Sequence, residues 1–153
     1  MDHRAGSRQE STPHDLYGVV LHHEHRLLRD AAGVEDLLRW RDRLVAELTR
    51  AESTYARVMS SASGTVMPAD GALPYAVFLD RWARIVGETI HRLQRLGVVA
   101  SQQTPEDLAT AILAAVQGGV LLARVTDDVR ALQNALRLPF EQLVLYRSEH
   151  GSD

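Results

Sequence analysis

Thr104–Thr126 reads TPEDLATAILAAVQGGVLLARVT. Thr104 offers an N-cap, Pro105 suits a first helical turn, and Glu106 and Asp107 stand at the positive end of the helix dipole. The apolar residues that follow show no strand alternation and predict a helix to about Val125. On a wheel of about 100° per residue, Leu108, Ile112, Ala115, Gly119 and Leu122 share one side. Leu113, Val116 and Val120 widen that apolar surface on one flank; Ala114, Gly118, Leu121 and Val125 widen it on the other. Past the first turn only Thr110, Gln117 and Arg124 are polar, in one narrow stripe. A helix this apolar must be covered on most sides. Each glycine of Gly118-Gly119 costs about 1 kcal/mol relative to alanine in a helix, so the pair points to another helix crossing there.

Working outward, Thr126-Asp127-Asp128 reads as the cap of a last helix continuing to about Arg147, with Pro139 expected to kink or divide it. Its Leu132, Leu136, Phe140 and Leu143 lie apart from the polar arc of Arg130, Gln133, Asn134, Arg137 and Glu141. Upstream, Gly97 ends an amphipathic helix over about Pro74–Leu96, whose apolar face carries Tyr75, Leu79, Trp82, Val86, Ile90 and Leu93. Ser61–Leu73 (SASGTVMPADGAL) reads as a loop. Before it, Leu37, Leu44, Leu48, Tyr55 and Val58 predict one helix from near Glu35 to Ser60. Thr12-Pro13 opens a first helix that stops at Gly33. The expectation is an all-α bundle of about five main helices over residues 11–150, preceded by a flexible polar lead at residues 1–10.

Composition narrows the function. The chain has 153 residues, 45% hydrophobic and 24% charged, which suits a globular domain with a real core. It contains no cysteine, which removes disulfides, thiolate metal sites and cysteine nucleophiles. The formal charge is −3 and the charges are interleaved, unlike the basic stripe of a duplex-DNA binder. The basic residues other than histidine are all arginine, read here as the codon bias of a GC-rich bacterium. The longest uncharged run, Leu108–Ala123, is short for a membrane span and carries Thr110 and Gln117, and the polar N-terminus shows no signal region. A cytoplasmic protein without membrane association is expected.

The two last helices carry more apolar surface than one small domain can cover, and a twofold homodimer is the simplest cover. The expected four-helix interface uses Leu108, Ile112, Ala115, Gly118, Gly119 and Leu122 with Leu132, Leu136 and Phe140. The alternative is a large monomer core with the Thr104–Val125 helix at its centre.

Gly97–Tyr146 resembles the last two helices of TetR/AcrR-family transcriptional regulators. The resemblance rests on the helix-ending Gly97, the proline-acid start Thr104–Asp107, the central Gln117-Gly118, the Leu121–Arg124 ending (LLAR) and the acidic turn Asp127-Asp128. Leu37–Val45 (LLRWRDRLV) and Phe78–Val86 (FLDRWARIV) resemble the preceding helices. Ser11–Leu28 resembles the segment that follows the family's helix-turn-helix. The match covers about residues 11–147. Only Met1–Glu10 stand where the family carries its DNA-reading headpiece, and ten residues cannot form one. The resemblance implies an effector-sensing, dimerising domain that does not itself bind DNA specifically, is not an enzyme and needs no cofactor or metal.

In TetR-like domains the effector cavity lies among the equivalents of these helices, so Trp40, Met59, Phe78 and Trp82 are candidate lining residues for a small apolar effector. Plain core packing is their alternative reading. Gln117 would supply a polar fixture, unless it belongs to a solvent-facing edge. His23 lies on the apolar side with Leu16, Val20 and Leu27, either as a core histidine or as a polar anchor in the pocket. His22 and His25 are three apart on a face with Asp15, Arg26 and Arg29. With His14 or His91 they open a rival reading, a metal-dependent helical-bundle enzyme of the DinB-like kind, although a complete site needs three or four placed ligands. A ligand-free interaction module is the third reading.

Overall fold

A computed structural model describes residues 13–63, 69–100 and 102–144. They form six helices: α1 (Pro13–Arg29), α2 (Val34–Thr49), α3 (Thr54–Ser63), α4 (Ala69–Arg95), α5 (Pro105–Thr126) and α6 (Arg130–Val144). The fold is all-α, and no strand occurs among the described residues. The N-terminal lead at 1–10 and the end of the last helix at 145–147 lie outside them.

Two boundaries differ from the sequence expectation. The single helix expected from Glu35 to Ser60 is two, because the backbone turns extended at Arg50 (φ −85°, ψ 111°) and a new helix starts behind Ser53. The Ser53 hydroxyl accepts from the Ala56 amide at 3.0 Å and donates back to the Glu47 carbonyl, so one side chain caps α3 and ties it to α2. Within the span expected as a loop, Ser61–Ser63 continue α3 and Ala69–Leu73 already belong to α4, while residues 64–68 lie outside the described residues. Ala69, Ala72 and Leu73 favour a helix, and they carry α4 through Gly71 to Pro74, where it was expected to start.

The other ends follow their local signals. Thr104 accepts from the Asp107 amide at 3.1 Å, with Pro105 in the first turn. Gly97 sits at φ +71°, and the Val98 amide reaches back to the Leu93 carbonyl at 3.1 Å, a Schellman closure of α4. Asp127 turns left-handed at φ 50° to end α5, and the Asp128 carboxylate accepts from the Arg130 amide at 2.9 Å to open α6. Pro139 lies inside α6, which runs through it undivided.

Helix α5 packs between α4 and α6; α1 lies against α4 and α3, while α2 bridges α3 and α6. Trp82, Leu93, Ile112, Val116 and Leu136 are fully buried where these layers meet. Arg92 of α4 donates to the Leu28 and Ala31 carbonyls at 2.9 and 2.6 Å, which satisfies the end of α1 with a cation at its negative pole. By length and composition alone α5 could cross a membrane. In this bundle it buries Leu108, Ala109, Ile112, Leu113, Val116, Gly119 and Val120 against its neighbours.

Candidate functional site

Glu24 is the one fully buried carboxylate among the described residues, at 1% exposure. It stands on α1 between Val20 and Leu28, and the spacing i, i+4, i+8 puts all three on the face that enters the core. Three other helices bring donors to it. Trp40 of α2 donates its indole N–H to Glu24 Oε2 at 2.6 Å, and Trp82 of α4 donates to the same oxygen at 3.3 Å. Tyr55 of α3 donates its hydroxyl to Oε1. Among the described residues no cation takes part: burial pushes the Glu24 carboxyl up, and the hydrogen bonds from Tyr55, Trp40 and Trp82 pull against it.

Tyr55 links this carboxyl to a half-buried imidazole, because its hydroxyl lies 3.0 Å from His23 Nδ1. Burial, and then the charge of Glu24, hold the Tyr55 phenol far above its ordinary range, so it acts as a hydroxyl and not as a phenolate. One hydroxyl proton cannot serve both neighbours. With Glu24 ionised, Tyr55 donates to it and accepts from His23 Nδ1–H. With Glu24 protonated, the carboxyl donates to Tyr55, which then donates to His23 Nδ1. Both directions of this chain fit the same heavy-atom positions.

A second polar group lies further along the same core. Tyr75 of α4 donates to Gln117 Oε1 of α5 at 2.8 Å, and Gln117 Nε2 lies 3.3 Å from Met59 Sδ of α3. Aromatic rings connect the two groups. The Tyr17 and Phe78 rings stack at 4.8 Å, Phe78 meets Trp82 at 5.5 Å, and Trp82 meets Tyr55 edge-on at 6.2 Å. Phe78 also lies 5.8 Å from Tyr75.

All six candidate ligand residues therefore belong to one region. Trp40, Trp82 and His23 gather around Glu24 and Tyr55, Met59 and Gln117 meet Tyr75, and Phe78 stands between. The rings of this region pack on one another. Sequence reasoning missed Glu24, which sits in a run of histidines, and read Tyr55 and Tyr75 as inner-face residues without their hydrogen-bonding roles. The signal was present: Val20, Glu24, Leu28 is an apolar stripe with a carboxylate in its middle.

The other candidates are dispersed. His22, His25 and His91 are exposed, and no three His, Asp or Glu side chains among the described residues gather to hold a metal ion; the His14 side chain lies outside them. Thr110 is exposed in a surface groove of about 470 Å³ between α4 and α5, lined also by Asp80, Arg84, Glu88, His91 and Glu106.

The residues expected at a dimer interface divide. Leu108, Ile112, Leu132, Leu136 and Phe140 are buried inside the chain's own core. Gly119 serves a crossing within the chain, since a Cβ there would stand 2.9 Å from Leu132 Cδ1 and 3.1 Å from Ala135 Cβ of α6. These six pack within the chain, where α6 itself covers that side of α5. Gly118 and Leu122 point outward and Ala115 is half-buried. Ala111, Ala114, Gly118, Leu121, Leu122 and Val125 form an exposed apolar arc of about 100° on α5. Leu121, Leu122 and Val125 are 54%, 52% and 76% exposed, and Leu138 of α6 is 65% exposed.

Comparison of the chain with protein-family models, with curated proteins and with solved structures gave no match.

Proposed function

We propose that the chain is a ligand-sensing helical domain that pairs with a second copy, of the kind that TetR-like regulators use to sense small effectors. The observation that carries the reading is the burial of Glu24 where four helices meet, with neutral donors from α2, α3 and α4. An apolar core does not need a carboxylate, and burying one is costly. Groups held in such surroundings concentrate at functional sites. The polar groups of α1 to α5, set among large rings, match the make-up of a small-molecule site. Met59 supports admission of a ligand, because an unbranched thioether repacks easily.

Pairing is supported by the outward apolar arc of α5 and by the exposed Val129 and Leu138, since exposed apolar surface in excess marks interaction sites. A ligand that alters the packing of α1 against α3 and α4 would shift an equilibrium between two bundle states, and α1 is the element that resembles the link to a headpiece. The chain is proposed to be a cytoplasmic, non-enzymatic domain, and the 153-residue chain alone to lack sequence-specific DNA binding.

Thermal unfolding with a panel of small apolar compounds tests the sensing reading. A saturable rise in Tm with at least one compound is expected, because ligands that bind only the folded state stabilise it. A broad panel that leaves Tm unchanged at millimolar concentration sinks it. The metal-enzyme alternative has no comparable geometric support, and stoichiometric zinc or nickel in untagged protein would revive it.

A further inference from the structure

The α2–α3 and α5–α6 connections line one surface groove of about 510 Å³, a size that suits a small molecule. It is separate from the core around Glu24, since none of Glu24, Trp40, Tyr55 and Trp82 lines it. Buried Leu48 of α2, Val120 of α5 and Leu132 of α6 give it an apolar floor. Two opposite charges stand on its walls. Arg124 of α5 donates to the Ser60 hydroxyl at 2.9 Å and to the Ala56 carbonyl at 3.3 Å, which holds the guanidinium against the α3 wall. Asp127 caps α5 in a left-handed turn, and no side chain among the described residues pairs with its carboxylate. The neighbouring Asp128 carboxylate is taken by the Arg130 guanidinium at 2.8 Å. Thr49 ends α2 on the same groove, so the negative poles of α2 and α5 both lie beside it. An amphiphilic anion would meet Asp127 and two helix C-termini there, and an amphiphilic cation would meet Arg124. A molecule that carries both charges next to an apolar group matches all three features.

Beyond the sensing reading of the core, we propose that this groove binds a zwitterion with an apolar side chain, of the class of a hydrophobic amino acid. The carboxylate lies on Arg124, whose planar fork suits it. The ammonium lies on Asp127 and the helix ends beside it. The side chain covers the floor of Leu48, Val120 and Leu132. Occupancy links α3, through Arg124 and Ser60, to the turn between α5 and α6.

Phenylalanine and three relatives remove the features one at a time: 3-phenylpropanoate lacks the ammonium, 2-phenylethylamine the carboxylate and glycine the side chain. Amide chemical shifts of the isotopically labelled chain, followed at about pH 7 where both ligand charges are present, give location and affinity together. Phenylalanine is expected to shift the amides of Ala51, Ala123 and Val129 saturably. It should bind about threefold or more tightly than either singly charged relative, as exposed ion pairs allow, and about tenfold or more tightly than glycine. Asp127→Asn should remove the advantage over 3-phenylpropanoate, and Arg124→Gln the advantage over 2-phenylethylamine. Asparagine tolerates the left-handed turn at 127, so the first variant keeps the backbone. The inference is overturned if wild type binds phenylalanine no better than one of its relatives, or if the shifts fall outside the groove. An advantage that survives the variant meant to remove it also overturns it, as does the absence of shifts at about 10 mM phenylalanine. The compounds that test the core are apolar, so failure here leaves the sensing reading in place.

Discussion

Replacing Glu24 separates the cost of its charge from the value of its hydrogen bonds. Glutamine keeps one oxygen for the Trp40 and Trp82 indoles and places an amide N–H opposite the Tyr55 hydroxyl, which can then donate to His23 Nδ1. Leucine fills a similar volume but leaves two buried indole N–H groups without an acceptor. Each orphaned donor costs about 1–3 kcal/mol, and the shorter Trp40 bond loses more than the Trp82 bond, so Glu24→Leu should destabilise by about 2–5 kcal/mol at pH 4. The pH dependence distinguishes Glu24→Gln from wild type. Burial raises the folded carboxyl above its unfolded value. Its contribution to stability is therefore complete below the ordinary glutamate value of about 4.3 and is lost as pH rises through the folded value. Glutamine has no such loss. Urea unfolding at fixed protein concentration should find the wild type and Glu24→Gln within about 1 kcal/mol of each other at pH 4, with the glutamine variant the more stable at pH 8. A wild type more stable than Glu24→Gln at pH 8 would refute the reasoning, because it would mean the ionised form is favoured in the core.

The two adjacent glycines should behave oppositely. Gly119→Ala pushes a methyl into Leu132 and Ala135 and should lower stability by about 1–3 kcal/mol in urea unfolding. Gly118 has open space around it, so Gly118→Ala should raise the stability of an unpaired chain by up to about 1 kcal/mol. Light scattering should find the wild-type chain dimeric at micromolar concentration and Leu122→Arg shifted toward monomer; a monomeric wild type would exclude the pairing. Thr104→Ala removes the cap of α5 and should cost about 1 kcal/mol, measurable as a lower urea midpoint.

Elements with strong local signals were legible in the sequence. Thr104-Pro105-Glu106-Asp107, Gly97 and Asp127-Asp128 placed both ends of α5, the end of α4 and the start of α6, because each acts through its own side chain or backbone angle. The break at Arg50–Ser53 was missed because the apolar spacing from Leu44 through Leu48 to Tyr55 nearly continues across it, although Ser53-Thr54 is a cap signal. The width of the apolar surface on α5 was legible, but its division into an inner and an outer side was not. Which side of α5 meets α6 depends on how that connection folds back, a tertiary fact that a helical wheel does not contain. For the site, large rings and inward spacing singled out Trp40, Phe78 and Trp82. Glu24 was passed over because its neighbours His22, His23 and His25 suggested surface or metal chemistry, and because a carboxylate on an apolar stripe reads as an exception until its three donors, from three other helices, are seen together.

The chain has two tryptophans, Trp40 and Trp82, and both donate to Glu24. Their emission reports on the proposed site and on little else. The most direct test is to titrate a compound that raises Tm while recording tryptophan emission. A saturable change in emission with the same midpoint as the stabilisation is the result predicted for a ligand seated among the rings around Glu24. Stabilisation that leaves both tryptophans unperturbed would place the ligand elsewhere, for example in the surface groove at Thr110, and would contradict the assignment of this core as the sensing site.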